Sequence, residues 1–346
     1  MPTLKNVTSE TRSILKYGGV ILSVLLFVFI FVRIGFLAKD FFFPTPPPPP
    51  SVAFGKVHMP ILPKNKTNTK TAYFVDTLSG TLPTFPDRIK IYNTIRAKPA
   101  LFSFENMQRK VANLGFNSQA VPLSADTYQW QTQKPITKRL TVNIFSSDFT
   151  FSTSFIKESQ TQPFLLLSDQ NSAKNSAVLL IESLTSIPED LDMAKTKTSL
   201  FTIQSQDIVP VTHISQAKII KVDFFQKDVD GIAIYYPNTT TMSMLLGKVE
   251  GELAVAEGEF LHQSIASEGS TYPIKTASEA FDELKNGNAY VDSNPDNSTN
   301  ISIKKVTLGY FLGELKQDYL WPVIVFEDNK GFIAFVSTIR DEWVSK

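Results

Sequence analysis

The hydrophobic pattern divides the chain into three regimes. Residues 17–38, YGGVILSVLLFVFIFVRIGFLA, are apolar except for Ser23 and Arg33. Residues 44–70 lack periodicity and are dominated by Pro, Asn, Thr and Lys, with six prolines between Pro44 and Pro50. From Thr71 onward, short runs of period two are interrupted by a few of period 3.6. The first regime predicts a membrane-spanning helix: its residues, at about 1.5 Å each, cover roughly 33 Å against a hydrocarbon core of about 30 Å. Its Leu, Ile, Val and Phe side chains contribute roughly −6 kcal/mol to insertion, and Arg33 opposes this by at most about 3 kcal/mol. Arg33 lies near one end, where its stem can carry the charge to the headgroups.

The segment IGFLAKD carries no small-residue pair fit for signal cleavage, so an uncleaved anchor spanning residues 17–43 is expected. Lys5, Arg12 and Lys16 precede the span, while Arg33 and Lys39 end it beside Asp40. That bias predicts residues 1–16 in the cytoplasm and residues 44–346 outside it. A proline run adopts the extended polyproline helix, so Pro44 to Pro50 read as a semi-rigid stalk about 20 Å long within a linker over 44–70. A ligand for a proline-reading domain is the alternative.

Beyond the linker, DRIKIYNTI alternates as a strand. SFENMQRKVANLG puts Phe104, Met107, Val111 and Leu114 on one helical stripe, with Ser103 placed to cap it and Gly115 to end it. RLTVNIFSSDFTFSTSF then reads as an antiparallel hairpin. A second helix, NSAKNSAVLLIESL, presents Ala173, Ala177, Leu180, Ile181 and Leu184, and the runs AKIIKVDFF and GIAIYYP follow it, joined through QKDVD. The third begins at TASE, where Thr276 and Glu279 form a capping box, and continues through ISIKKVTLGYF, YLWPVIVFE and GFIAFVSTI. Helix-then-hairpin thus occurs three times. The expected fold class is α+β: a transmembrane helix, a Pro-rich stalk, then repeated units of one helix on an antiparallel sheet, as domains 71–160 and 161–346.

The closing stretch, with EAFDELKNG, VTLGYF and YLWPVIVFEDNKGFIAFVSTI, resembles the C-terminal unit of the YycH/YycI regulators over about residues 274–339. The overall layout is similar too. The resemblance implies a short cytoplasmic end, one membrane helix and an extracytoplasmic α+β region that restrains a sensor histidine kinase. It brings no catalytic residues. The Pro-rich stalk and the polar ending RDEWVSK depart from the family pattern.

Composition narrows the function classes. A net charge of +1 leaves no basic footprint for nucleic acid, and the absence of Cys removes disulfides, thiolate metal sites and Cys nucleophiles. Ser154–Lys157 matches an S-x-x-K pattern, but so do Ser13–Lys16, Ser215–Lys218 and Ser302–Lys305, and no S-D-N accompanies it. Asp292, Asn294 and Asp296 begin like a calcium loop, yet Asn297 stands where Gly is needed and Ile303 where the bidentate Glu belongs, so a polar turn is the stronger reading and a weak ion site the other. Glu250, Glu252, Glu257 and Glu259 lie in two E-G-E steps of one strand, where they read as the wet side of a sheet or as a hydrolase carboxylate pair. His58, His213 and His262 are isolated in sequence.

No catalytic, cofactor-binding or metal-ligating residue is therefore assigned. The expected partners are the lipid bilayer and a membrane protein, a sensor kinase or envelope complex, with no nucleic acid and no cofactor. Arg33, Trp130, Tyr319 and Trp321 are the candidate partner contacts, since an intramembrane charge seeks a counter-charge and Tyr and Trp carry interface energy. A non-enzymatic regulator is the leading reading, a stalked glycan-binding module the alternative, and an envelope hydrolase the third.

Overall fold

The computed structural model describes residues 17–35, 49–62, 71–134, 136–155, 169–205, 207–249 and 252–345. The expected stalk residues Pro44 to Pro48, the linker residues 63–70, the charges that set topology on either side of the span, Lys157 and Glu250 lie outside them. The chain divides into two units, Met1–Pro49 and Pro50–Lys346.

The first unit contributes one described element, α1 (Tyr17–Gly35), of mean hydropathy 2.4 and exposed along its whole length. Ser23 Oγ donates to Gly19 O at 2.9 Å, so its hydroxyl is satisfied within the helix. Phe27 and Phe31, one turn apart, stack at 6.1 Å.

In the second unit the order is β1 (Val57–His58), β2 (Ala72–Val75), β3 (Arg88–Ile95), α2 (Ser103–Asn113), β4 (Val121–Pro122), β5 (Thr127–Thr132), β6 (Lys138–Asn143) and β7 (Phe149–Thr153). Then come α3 (Gln170–Leu184), β8 (Lys197–Gln204), β9 (Asp207–Pro210), β10 (Ile219–Asp223), β11 (Ile234–Tyr235), β12 (Met242–Val249), β13 (Glu252–Phe260) and β14 (Ser264–Pro273). The last part is α4 (Ala277–Lys285), β15 (Tyr290–Ser293), β16 (Asn300–Ile303), β17 (Lys305–Phe311), β18 (Tyr319–Glu327), β19 (Ile333–Ser337) and β20 (Val344–Ser345).

Two sheets carry the architecture. One has nine strands in the order β4-β5-β6-β7-β13-β12-β10-β8-β9, the other is built on β11-β17-β18-β19-β15 with β3 and β14 attached through β18. Register along the first sheet separates its faces. One row runs Leu140, Phe151, Gly258, Met244 and Val222, apolar throughout, and receives α3. The neighbouring row runs Thr141, Thr150, Glu259, Ser243, Asp223 and Lys197, polar throughout. Gly258 is needed in the apolar row because a Cβ there would stand 2.3 Å from Met244 Sδ.

α3 follows the expected stripe, with Ala173, Ala177, Ile181 and Leu184 buried, and Asp169 caps it by accepting from Asn171 and Ser172 N–H. α4 has the full capping box at Thr276 and Glu279. Ser103 does not cap α2: the N-cap is Phe102 at φ 60°, and Ser103 Oγ donates backward to Ala100 O at 2.8 Å. A side chain inside the first turn faces away from the free N–H groups that an N-cap reaches.

Strand pairing departs from the expected organisation at three places. Strands from both sides of the 160/161 boundary share one sheet, because β7 pairs with β13 through Phe149–Phe260 and Phe151–Gly258. Strands of the first two helix-then-hairpin passages, β5, β6, β7 and β10, therefore lie in a single sheet. AKIIKVDFF and GIAIYYP are not hairpin partners: β10 lies between β12 and β8, while β11 pairs in parallel with β17 in the other sheet. The segment after the prolines is also folded. Ser51 and Val52 bond to Ser270 and Thr271, and β1 pairs in parallel with β20 with Val57 fully buried. Val52, Phe54 and Val57 supply the apolar surface that a linker composition concealed.

Candidate functional site

Where the two sheets meet, a polar network is built from three glutamines. Gln226 and Gln263 are 2 % and 3 % exposed, and Gln317 is 8 % exposed. Buried amides need every donor and acceptor answered, and here they are. Gln226 Nε2 donates to Asp190 Oδ2 at 2.7 Å and to Gln263 O at 3.0 Å, and its Oε1 accepts from Tyr236 OH at 3.1 Å. Gln263 Nε2 donates to Gly313 O at 2.8 Å, and its Oε1 accepts from Gln317 N–H at 3.1 Å. Gln317 Nε2 donates to Phe311 O and Tyr319 O, bracing the loop between β17 and β18, and the two Gln263 bonds tie that loop to the segment after β13.

His262 completes the network. Its Nε2 lies 2.8 Å from Asp190 Oδ1, and its ring stacks on Phe260 at 6.2 Å. Lys316 closes the edge, with Nζ 2.5 Å from Asp148 Oδ2 and 2.7 Å from His262 O. Burial acts to raise the Asp190 pKa, but the His262 hydrogen bond and charge, with the Gln226 amide, outweigh it and hold the carboxyl below the usual range. Burial pushes the Tyr236 hydroxyl well above its ordinary value.

Beside this network opens a cleft of about 820 Å³, with Lys195, Lys197 and Phe225 on the side of the nine-stranded sheet and Tyr235, Asp292 and Phe335 on the other. Tyr235 lies over Gly309, where a Cβ would stand 2.7 Å from the ring, and packs edge-on to Phe335 at 5.7 Å. Lys195 Nζ bonds Asp228 at 2.6 Å, and Lys305 Nζ bonds Glu327 at 2.8 Å. Lys197 Nζ sits 5.4 Å from the centre of the Phe225 ring. Asp292 Oδ1 accepts from Asn238 N–H at 3.1 Å and from Tyr290 OH at 2.9 Å. Thr196, between the two lysines, is 7 % exposed, and its Oγ1 has no hydrogen-bond partner among the described residues.

The residues singled out from sequence go elsewhere. Trp130 and Trp321 are 1 % and 0 % exposed and fill the core, so neither presents a face to a partner. Tyr319 is half-buried and packs at 5.7 Å on Phe54. Arg33 is exposed on α1. The half calcium loop does not converge: Asp292 faces the cleft donors, while Asn294 closes a turn with Ser298. No group of three or more His, Asp or Glu side chains suited to a metal ion occurs among the described residues.

Glu252 and Glu257 are exposed, and Glu259 is half-buried on the polar row. The Glu259 pKa is raised by burial and by the charge of Glu314, with Lys221 opposing and Glu257 adding a little. Neither the Asp190–His262 pair nor the Lys197–Asp292 opposition had a local signal, since their members stand far apart in sequence and each looks like an ordinary loop or edge residue.

Fold and site together define an α+β unit with an interior polar network and an amphipathic cleft, in a chain that also carries a helix able to cross a membrane. No protein-family model, no curated protein and no solved structure matches the chain.

Proposed function

We propose that the chain is a single-pass membrane protein whose α1 anchors it and whose second unit is an extracytoplasmic, non-enzymatic binding module for a membrane partner. The observation that carries this reading is α1 itself: 19 residues of mean hydropathy 2.4 with none buried. A core helix would be covered by protein, and an exposed apolar helix needs lipid or another helix. The resemblance of residues 274–339 to the YycH/YycI regulators supports a sensor histidine kinase as that partner. In this reading the Pro-rich segment is a spacer, and each passage of helix and antiparallel strands repeats one structural theme. Arg33 supplies a charge for an acidic partner residue within the bilayer.

The test is crosslinking in intact membranes, comparing the native chain with one whose residues 17–38 are replaced by an unrelated membrane helix. A specific membrane protein lost on replacement supports recognition through α1, and Arg33→Leu is then expected to weaken the contact while Arg33→Lys preserves it. A partner retained after replacement moves recognition to the second unit. Absence of any crosslinked membrane protein from both chains overturns the proposal.

A further inference from the structure

The charges of the cleft do not cancel locally, and the remainder has a pattern. Lys195 is matched by Asp228 and Glu327 by Lys305, each within hydrogen-bond distance. Lys197 and Asp292 are left, one on each sheet, and neither has an ion-pair partner among the described residues. Asp292 is held by two neutral donors and Lys197 by an aromatic ring, so both charges are oriented without being neutralised. An anionic ligand would meet Asp292 and a cationic one Lys197, while a neutral ligand would desolvate both without compensation. A ligand bearing both signs satisfies both walls.

We propose that the cleft binds a small zwitterion of the amino-acid or short-peptide class, its carboxylate on Lys197 and its ammonium on Asp292. The cleft, at about 820 Å³, falls within the size usual for small-molecule sites. Tyr235, Phe335 and Ile333 offer an apolar surface for a side chain between the two charges. This inference is independent of α1 and of any membrane partner.

The experiment is calorimetric titration of the full chain in nanodiscs with glycyl-phenylalanyl-glycine, its N-acetylated form, its C-amidated form and a tetramer of N-acetylglucosamine. The free tripeptide is expected to bind, and either cap is expected to weaken it about tenfold or more. Lys197→Met should weaken the free peptide and make amidation silent, and Asp292→Asn should do the same for acetylation. Both variants should melt no lower than the native chain, so that lost binding is not lost folding. Failure of the tripeptide to bind, or equal binding of free and capped forms, overturns the proposal. Binding of the saccharide with no response to the peptides overturns it in favour of a glycan site. All these outcomes are separable from the crosslinking result, which reads membrane partners alone.

Discussion

Thr196 and Asp190 set the most direct expectations at the scale of single residues. Removing an unpartnered buried hydroxyl relieves a desolvation cost, so Thr196→Val should stabilise the second unit by about 1 kcal/mol, seen as a rise of roughly 2 °C in melting temperature. Asp190 behaves oppositely. Its folded pKa lies below the ordinary carboxylate value near about 4, so its contribution is complete above that value and is lost as pH falls through the folded pKa. Asp190→Asn should therefore lower stability at neutral pH and flatten the acid limb of the melting profile below about pH 4. Equal slopes for native and variant chains would show that the His262 and Gln226 bonds do not act through ionisation. Neither residue was marked by its local sequence, because burial and pairing are properties of distant neighbours. Trp130 and Trp321 show the converse: residue type suggested interface anchors, and packing made them core.

Elements were legible where their determinants are local. The capping box at Thr276 and Glu279, the apolar stripe of α3 and the alternation of β3 all appear as the pattern predicts. Thr276→Ala should cost about 1 kcal/mol, measured by denaturant unfolding, since the Glu279 N–H loses its acceptor, Thr276 Oγ1. Gly309 on β17 tests packing between elements. A methyl group there meets the Tyr235 ring at 2.7 Å and Val325 at 3.0 Å, so Gly309→Ala should destabilise by about 1–3 kcal/mol and displace the Tyr235 wall of the cleft. Tyrosine ring signals in NMR spectra would report that displacement. Ser103 fails as a cap for a reason of one residue: the helix begins at Ser103 itself, so the N-cap position falls to Phe102.

At the scale of the whole molecule, α1 and the second unit can be tested apart. α1 carries enough apolar residues to offset one terminal Arg but not two further central ones, each costing about 2.5–3.5 kcal/mol. Leu26→Arg combined with Phe29→Arg should release the chain from membrane pellets on alkaline extraction, while the native chain stays with them. The second unit should melt at the same temperature in both chains, because both substitutions lie in the first unit. The nine-stranded sheet gives the unit its two-sided character. Its apolar face is closed by α3, and its polar rows run through Glu259 and Asp223 toward Lys197 and the cleft.

What the sequence determined by itself is what depends on neighbours within a few residues: a helix apolar enough for a bilayer, caps, turns, and which side chains of a strand share a face. Periodicity assigns a residue to a face, but it does not say which strand lies alongside. That choice rests on packing between segments far apart in the chain. Only the tertiary structure could therefore join β7 to β13, place β11 beside β17, draw residues 51–58 into the fold and set Lys197 opposite Asp292.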